Sequence, residues 1–170
     1  STAPGQQVVR GVVVDDVSGW NPGIYWQENV TDSGTAISPA TADNLIAVSD
    51  HGAFRTDTDS VARISYSGKG PRIDGAAVVD ISAPHNPYTP TAYPYGAYSM
   101  FSGTSGSAPH VAGVAALLRE QDPGLSSSNV ESRIKGGAYQ DEVTGSLPNE
   151  EYGYGKLHSA RSALGLVVEP

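Results

Sequence analysis

The 170-residue chain contains no cysteine, which excludes disulfides and thiolate-bound metals from the outset. Basic residues are scarce: 10 Lys and Arg stand against 18 Asp and Glu, for a net charge of −8. A surface of that sign repels nucleic acid and anionic lipid, so neither is expected as a partner. Nowhere do the apolar residues run long enough to cross a membrane, so no spanning helix is expected. The opening STAPGQQVVRG has no charged segment leading into an apolar one, and no signal peptide is expected within these residues. Internal repeats and low-complexity tracts are also lacking.

Glycine and proline are plentiful, at 20 and 12 residues, beside 38% hydrophobic residues. That balance describes a loop-rich globular α/β protein of single-domain size. Val8–Val14, reading VVRGVVV, is a β-branched run of the kind covered on both faces of a sheet. Residues 15–43 form a loop of a length that in compact domains usually carries function. Short strands are predicted at NLIAVS (44–49), ARISYSG (62–68) and AAVVDIS (76–82), with GKGPRIDG as a turn between the last two. Residues 85–100 hold four tyrosines and three prolines and read as an extended surface segment. Its rings either pack over the edge of the core or line a substrate groove.

Three helices follow. The first spans Ser105–Gln121, apolar nearly all round and therefore expected in the core, and ends at the breaker Asp122-Pro123-Gly124. Pro109 is expected in its first turn, where a missing N–H costs nothing. The second opens within SSSNVESRI, where Ser128 and Glu131 have capping-box spacing. The third, GKLHSARSAL, presents Leu157, Ala160 and Leu164 on one apolar face. Strands followed by helices and long loops indicate α/β layering.

The stretch FSGTSGSAPHVAGVAALL places Ser105 where the chain enters the first helix. A lone serine there is ordinarily an N-cap. The same place suits a nucleophile, because N–H groups without intrahelical partners and the positive end of the dipole favour an oxyanion. The Ser105 N–H itself is then a donor, while Gly103 and Gly106 let a substrate backbone approach closely. GTSGSAPHVAGVAALL closely resembles the nucleophile motif of the subtilisin-like serine proteases. ISYSGKGPRIDG, VVDISAP and YGYGKLHSARSAL resemble that family's later turn, strand and closing helix in order. The likeness runs from residue 44 to 167, and residues 1–43 match poorly. One departure stands out: His85 follows Ala83-Pro84 where the family has Gly.

The resemblance implies a three-layer α/β fold with a mostly parallel sheet, of which this chain is the C-terminal portion, and a serine endopeptidase acting through Ser105. It implies Gly103, Thr104 and Tyr98 at the substrate and Asn21 as a second oxyanion donor, although an Asn before Pro22 is also a plain turn residue. The triad's Asp and His precede the serine in such chains, yet their usual motifs are missing here. Asp16 and His51 are the nearest substitutes, but His51 lies in a segment that aligns with a later strand. His110 is expected to be structural, and His85 and His158 to lie at the surface. An N-terminal half of the same domain is therefore the expected partner, bearing Asp and His, with protein or peptide as substrate. No cofactor is required; structural calcium is an option, with Asp80, Asp57 and Asp59 as candidate ligands. Secretion is implied by the family alone. The alternatives are a non-catalytic module of the same fold, kept for binding or assembly, and a sedolisin-type peptidase; PHVAG after the serine favours the subtilisin branch.

Overall fold

The computed structural model describes residues 34–52, 67–85, 88–90, 96–101 and 103–165. The strands expected at Val8–Val14 and across 62–66, along with Asp16, Asn21, Asp57 and Asp59, lie outside the described residues.

Strand β1 (Val48–Gly52) pairs in parallel with β2 (Ile81–His85), Val48 opposite Ile81 and Gly52 opposite His85. Both begin later than the apolar runs NLIAVS and AAVVDIS suggest. Just upstream, the Ala47 N–H donates to Asp80 Oδ2 at 2.7 Å, and the Asp80 N–H returns a bond to the Ala47 carbonyl at 2.9 Å. A side-chain bond thus stands in for the ladder, which becomes regular only at Val48. Downstream, Asp50 and His51 continue β1 as buried residues, although polarity alone would have ended the strand before them. Strands β3 (Tyr88–Pro90) and β4 (Tyr98–Met100) form an antiparallel pair within the segment read as extended.

Helices α1 (Thr104–Gln121), α2 (Ser127–Gly136) and α3 (Ser159–Leu164) pack with one another, and α1 lies against the β1–β2 pair. Ile81 and Ala83 of β2 meet Val111, Val114 and Leu118 of α1, with Val130 and Ile134 of α2 closing the cluster. This is the expected α/β layering. Two expectations about α1 need correction. It is not buried all round: Ala112, Gly113, Ala116 and Leu117 are exposed, Leu117 by 57%, because among the described residues only one side of the helix is covered. Pro109 is not in the first turn but lies one turn deeper, where its ring removes a donor for the Ser105 carbonyl. The entry is closed instead by the Gly106 N–H, donating to the Gly103 carbonyl at 2.8 Å. His110 adds its Nδ1–H to the Gly106 carbonyl, also at 2.8 Å.

The stop at Asp122 is as read: its N–H reaches back to the Leu118 carbonyl and its Oδ1 accepts the Gly124 N–H. The start of α2 is shifted. Ser126, not Ser128, is the N-cap, accepting the Asn129 N–H at 3.2 Å, while Ser128 pairs with the Ser126 hydroxyl and Glu131 turns to Lys135. Helix α3 also differs from its apolar pattern. Ser162 is its buried residue and Leu164 is 70% exposed, since the close approach to α2 at Gly137 leaves space only for a small side chain.

The chain between Tyr152 and Leu157 lies along the outer edge of β2. Ser82 donates to the Gly155 carbonyl at 2.9 Å and its own carbonyl accepts the Leu157 N–H at 2.7 Å. Gly153, at φ 58°, sits so close to the Asp80 carbonyl that a Cβ would overlap it. Gly153→Ala is therefore expected to destabilise the chain by about 2–5 kcal/mol, combining left-handed strain with a backbone collision; chemical denaturation measures it.

His51 faces Ser82, its Nδ1 2.9 Å from the hydroxyl, and is 7% exposed. Burial, helped by nearby Lys156, pushes the imidazole from 6.5 down to about 4. The unfolded chain then takes up this proton first. Stability from the neutral ring is complete above pH 6.5 and is lost as the pH falls towards 4, by about 3 kcal/mol. His51→Gln is expected to flatten that acid limb, measured as denaturation midpoints at pH 7 and pH 4.

Candidate active site

Gly103 is the N-cap of α1, with φ 78° and ψ −179°, a conformation essentially reserved for glycine. No side chain of its own caps the helix, and no acidic residue lies in its first turn. Thr104 and Ser105 occupy that turn and are both exposed, whereas Gly106 and Ser107 are buried. The Ser105 hydroxyl thus stands in solvent at the positive end of an 18-residue helix. Such a site can stabilise negative charge on an attacked carbonyl, given a base to take the serine's proton.

The turn is fixed from below by the last two residues of β2. Ser107 Oγ, fully buried, donates to the Pro84 carbonyl at 3.0 Å. The Gly103 N–H donates to His85 Nδ1 at 2.9 Å. His85 is only 4% exposed, so the expectation of a surface histidine is overturned; the end of a buried strand leaves it no route to solvent. Asp50 Oδ2 lies 3.5 Å from the same Nδ1, with the carboxylate fully buried. Since the Gly103 N–H needs a lone pair on Nδ1, the proton of the neutral ring belongs on Nε2. Sequence reasoning passed over this histidine as a functional residue. The available signal was its departure from Gly after Ala-Pro.

All four imidazoles of the chain are described, and among the described residues none is hydrogen-bonded to the Ser105 hydroxyl. His51 is engaged with Ser82, His85 with Gly103, and His110 with the Gly106 carbonyl. His158, expected at the surface, is half-buried and caps α3 by accepting the Arg161 N–H, a role that draws it in against the helix end. Gly103, Thr104 and Ser105 are brought together by one helix entry. Tyr98, on β4, is 67% exposed.

Asp80 does not offer a free carboxylate for calcium. Its Oδ1 is paired with Lys135 Nζ at 2.7 Å and its Oδ2 with the Ala47 N–H. Among the described residues no cluster of three metal-ligating side chains is found.

Comparison with known proteins places the chain in a family. A model of the subtilase family matches residues 21–155. Serine protease AprX of Bacillus subtilis is 32% identical over 150 residues, covering 79% of this chain and 33% of its own. Thermitase of Thermoactinomyces vulgaris is 37% identical over 107 residues, covering 63% of this chain and 32% of its own. The structure of the Clostridium perfringens CspB protease superposes with a TM-score of 0.63 at 26% identity, covering 76% of this chain and 28% of that one. The chain spans a third or less of the length of these proteins. With the match covering most of its residues and the fold shared, the chain belongs to the subtilase family of subtilisin-like serine proteases.

Proposed function

We propose that this chain supplies the nucleophile of a serine endopeptidase, with the triad's Asp and His carried by a portion of the catalytic domain outside residues 1–170. The observation that carries the reading is the exposed Ser105 hydroxyl at the entry of α1, while every imidazole in the chain is engaged elsewhere. A histidine from the other portion takes the Ser105 proton as Oγ attacks the peptide carbonyl. The Ser105 N–H stabilises the resulting oxyanion, and Asn21 is the candidate for a second donor. The leaving amine departs with the proton from the imidazole. Water, deprotonated by the same base, then releases the acid and restores the serine.

Support for the missing portion comes from two further features. The chain spans a third or less of its relatives. The exposed face of α1, Ala112, Gly113, Ala116 and Leu117, offers an apolar surface with no cover among the described residues. Beside it, a groove of about 460 Å³ opens between residues 44–48, α1 and α2, lined by Leu45, Ile46, Val48, Ala108, Val111 and Ala115 among others. A half-domain carrying Asp and His is the proposed occupant of that face. Gly103 and Thr104 are proposed to contact the substrate backbone, and Tyr98 a substrate side chain. A secreted or extracellular setting completes the reading.

In the assembled domain, a fluorophosphonate is expected to label Ser105 and the assembly to cleave a denatured protein. Ser105→Ala is expected to abolish labelling and to lower turnover roughly 10⁶-fold, the scale of losing a triad nucleophile. A folded assembly that cleaves substrate without labelling at Ser105 would contradict the assignment, as measured by mass spectrometry of the labelled peptide.

A further inference from the structure

We propose that His85 is a positioning residue for the nucleophile, holding the Gly103 N–H so that the turn before α1 delivers Ser105 in one orientation. The proposal rests on the reading of Ser105 as the nucleophile.

Two observations converge on His85. It is buried, and burying an imidazole is unfavourable unless its nitrogens find partners. The Gly103 N–H donates to its Nδ1 at 2.9 Å.

The bond falls where the backbone most needs it. Gly103 adopts φ 78° and ψ −179°, which glycine reaches without strain but shares with many other conformations, so hydrogen bonds at its two peptide groups are what select it. His85 holds the N–H of Gly103 while the Gly106 N–H holds its carbonyl at 2.8 Å. Thr104 and Ser105 are the residues spanned between those two anchors. Ser107, through the Pro84 carbonyl, pins the next residue of the turn to the same strand end. With His85 removed, the far side of the turn stays fixed but its near side loses its tie, and Ser105 gains freedom about Gly103. A nucleophile displaced by a fraction of an ångström loses rate without losing the fold.

The test uses two substitutions and one spectroscopic measurement. His85→Asn keeps an acceptor close to the place of Nδ1, whereas His85→Leu fills similar volume with none. In the assembled domain, the rate of fluorophosphonate labelling at Ser105 is expected to fall roughly ten- to a hundredfold in His85→Leu and to stay within about threefold of wild type in His85→Asn. Equal rates in the three proteins overturn the proposal. So does an equal loss in both variants that follows their thermal unfolding midpoints, because a purely structural histidine behaves that way. Nitrogen-15 spectra of the histidine-labelled wild-type chain are expected to show an unprotonated, hydrogen-bonded Nδ1 and a protonated Nε2 at His85; a protonated Nδ1 at neutral pH overturns the proposal even if His85→Leu does not fold. If wild-type Ser105 takes no label while the spectra show the bond, it is the assignment of the nucleophile that fails, and the catalytic role of His85 with it.

Discussion

Asp80 is the residue on which the described fold converges. Its carboxylate holds Lys135 of α2 on one oxygen and the Ala47 N–H ahead of β1 on the other. Its backbone bonds to Ala47 on one side and, through its carbonyl, to the Tyr154 N–H on the other. One position therefore joins the approach to β1, the start of β2, a helix and the C-terminal loop. Burial alone would lower the Lys135 ammonium, but the bonds to Asp80 and Glu131 outweigh it and hold it above its usual value. Removing the Asp80 carboxylate would leave that partly buried cation with the Glu131 carboxylate and the face of Tyr154, and a backbone donor unmet, which is why this ion pair is structural.

What could be read from the sequence is what local chemistry decides. The span of α1 was legible to within one residue, because Asp-Pro-Gly ends a helix wherever it occurs. The family was legible too, since Gly-Thr-Ser-Gly-Ser before an apolar run is a long and specific string, and the subtilase match spans it. The errors arise where a distant residue decides. β1 and β2 start late because Asp80 intercepts Ala47, and β1 runs on through Asp50 and His51 because tertiary partners pay for their burial. The cap of α2 went to Ser126 among three consecutive serines, a choice spacing alone cannot make. The outward face of α1 is indistinguishable by composition from its inward face, so nothing local could reveal which side lacks cover.

The site shows a division of labour within the fold. The chain brings the hydroxyl, the helix entry and a rigid floor made by Pro84 and His85, all within 23 residues of sequence separation between the bonded partners. Among the described residues, no imidazole is hydrogen-bonded to that hydroxyl. An exposed serine without a base is a weak nucleophile, whereas the geometry at the entry of α1 is fixed by contacts within the described residues.

The loop from Tyr152 to Leu157 has a consequence for how the sheet can be extended. By saturating the peptide groups of Ser82 on the outer side of β2, it closes that margin to any incoming strand. Among the described residues, the margin of β1 is therefore the one left for further parallel pairing, and the C-terminal segment covers an edge that would otherwise be bare.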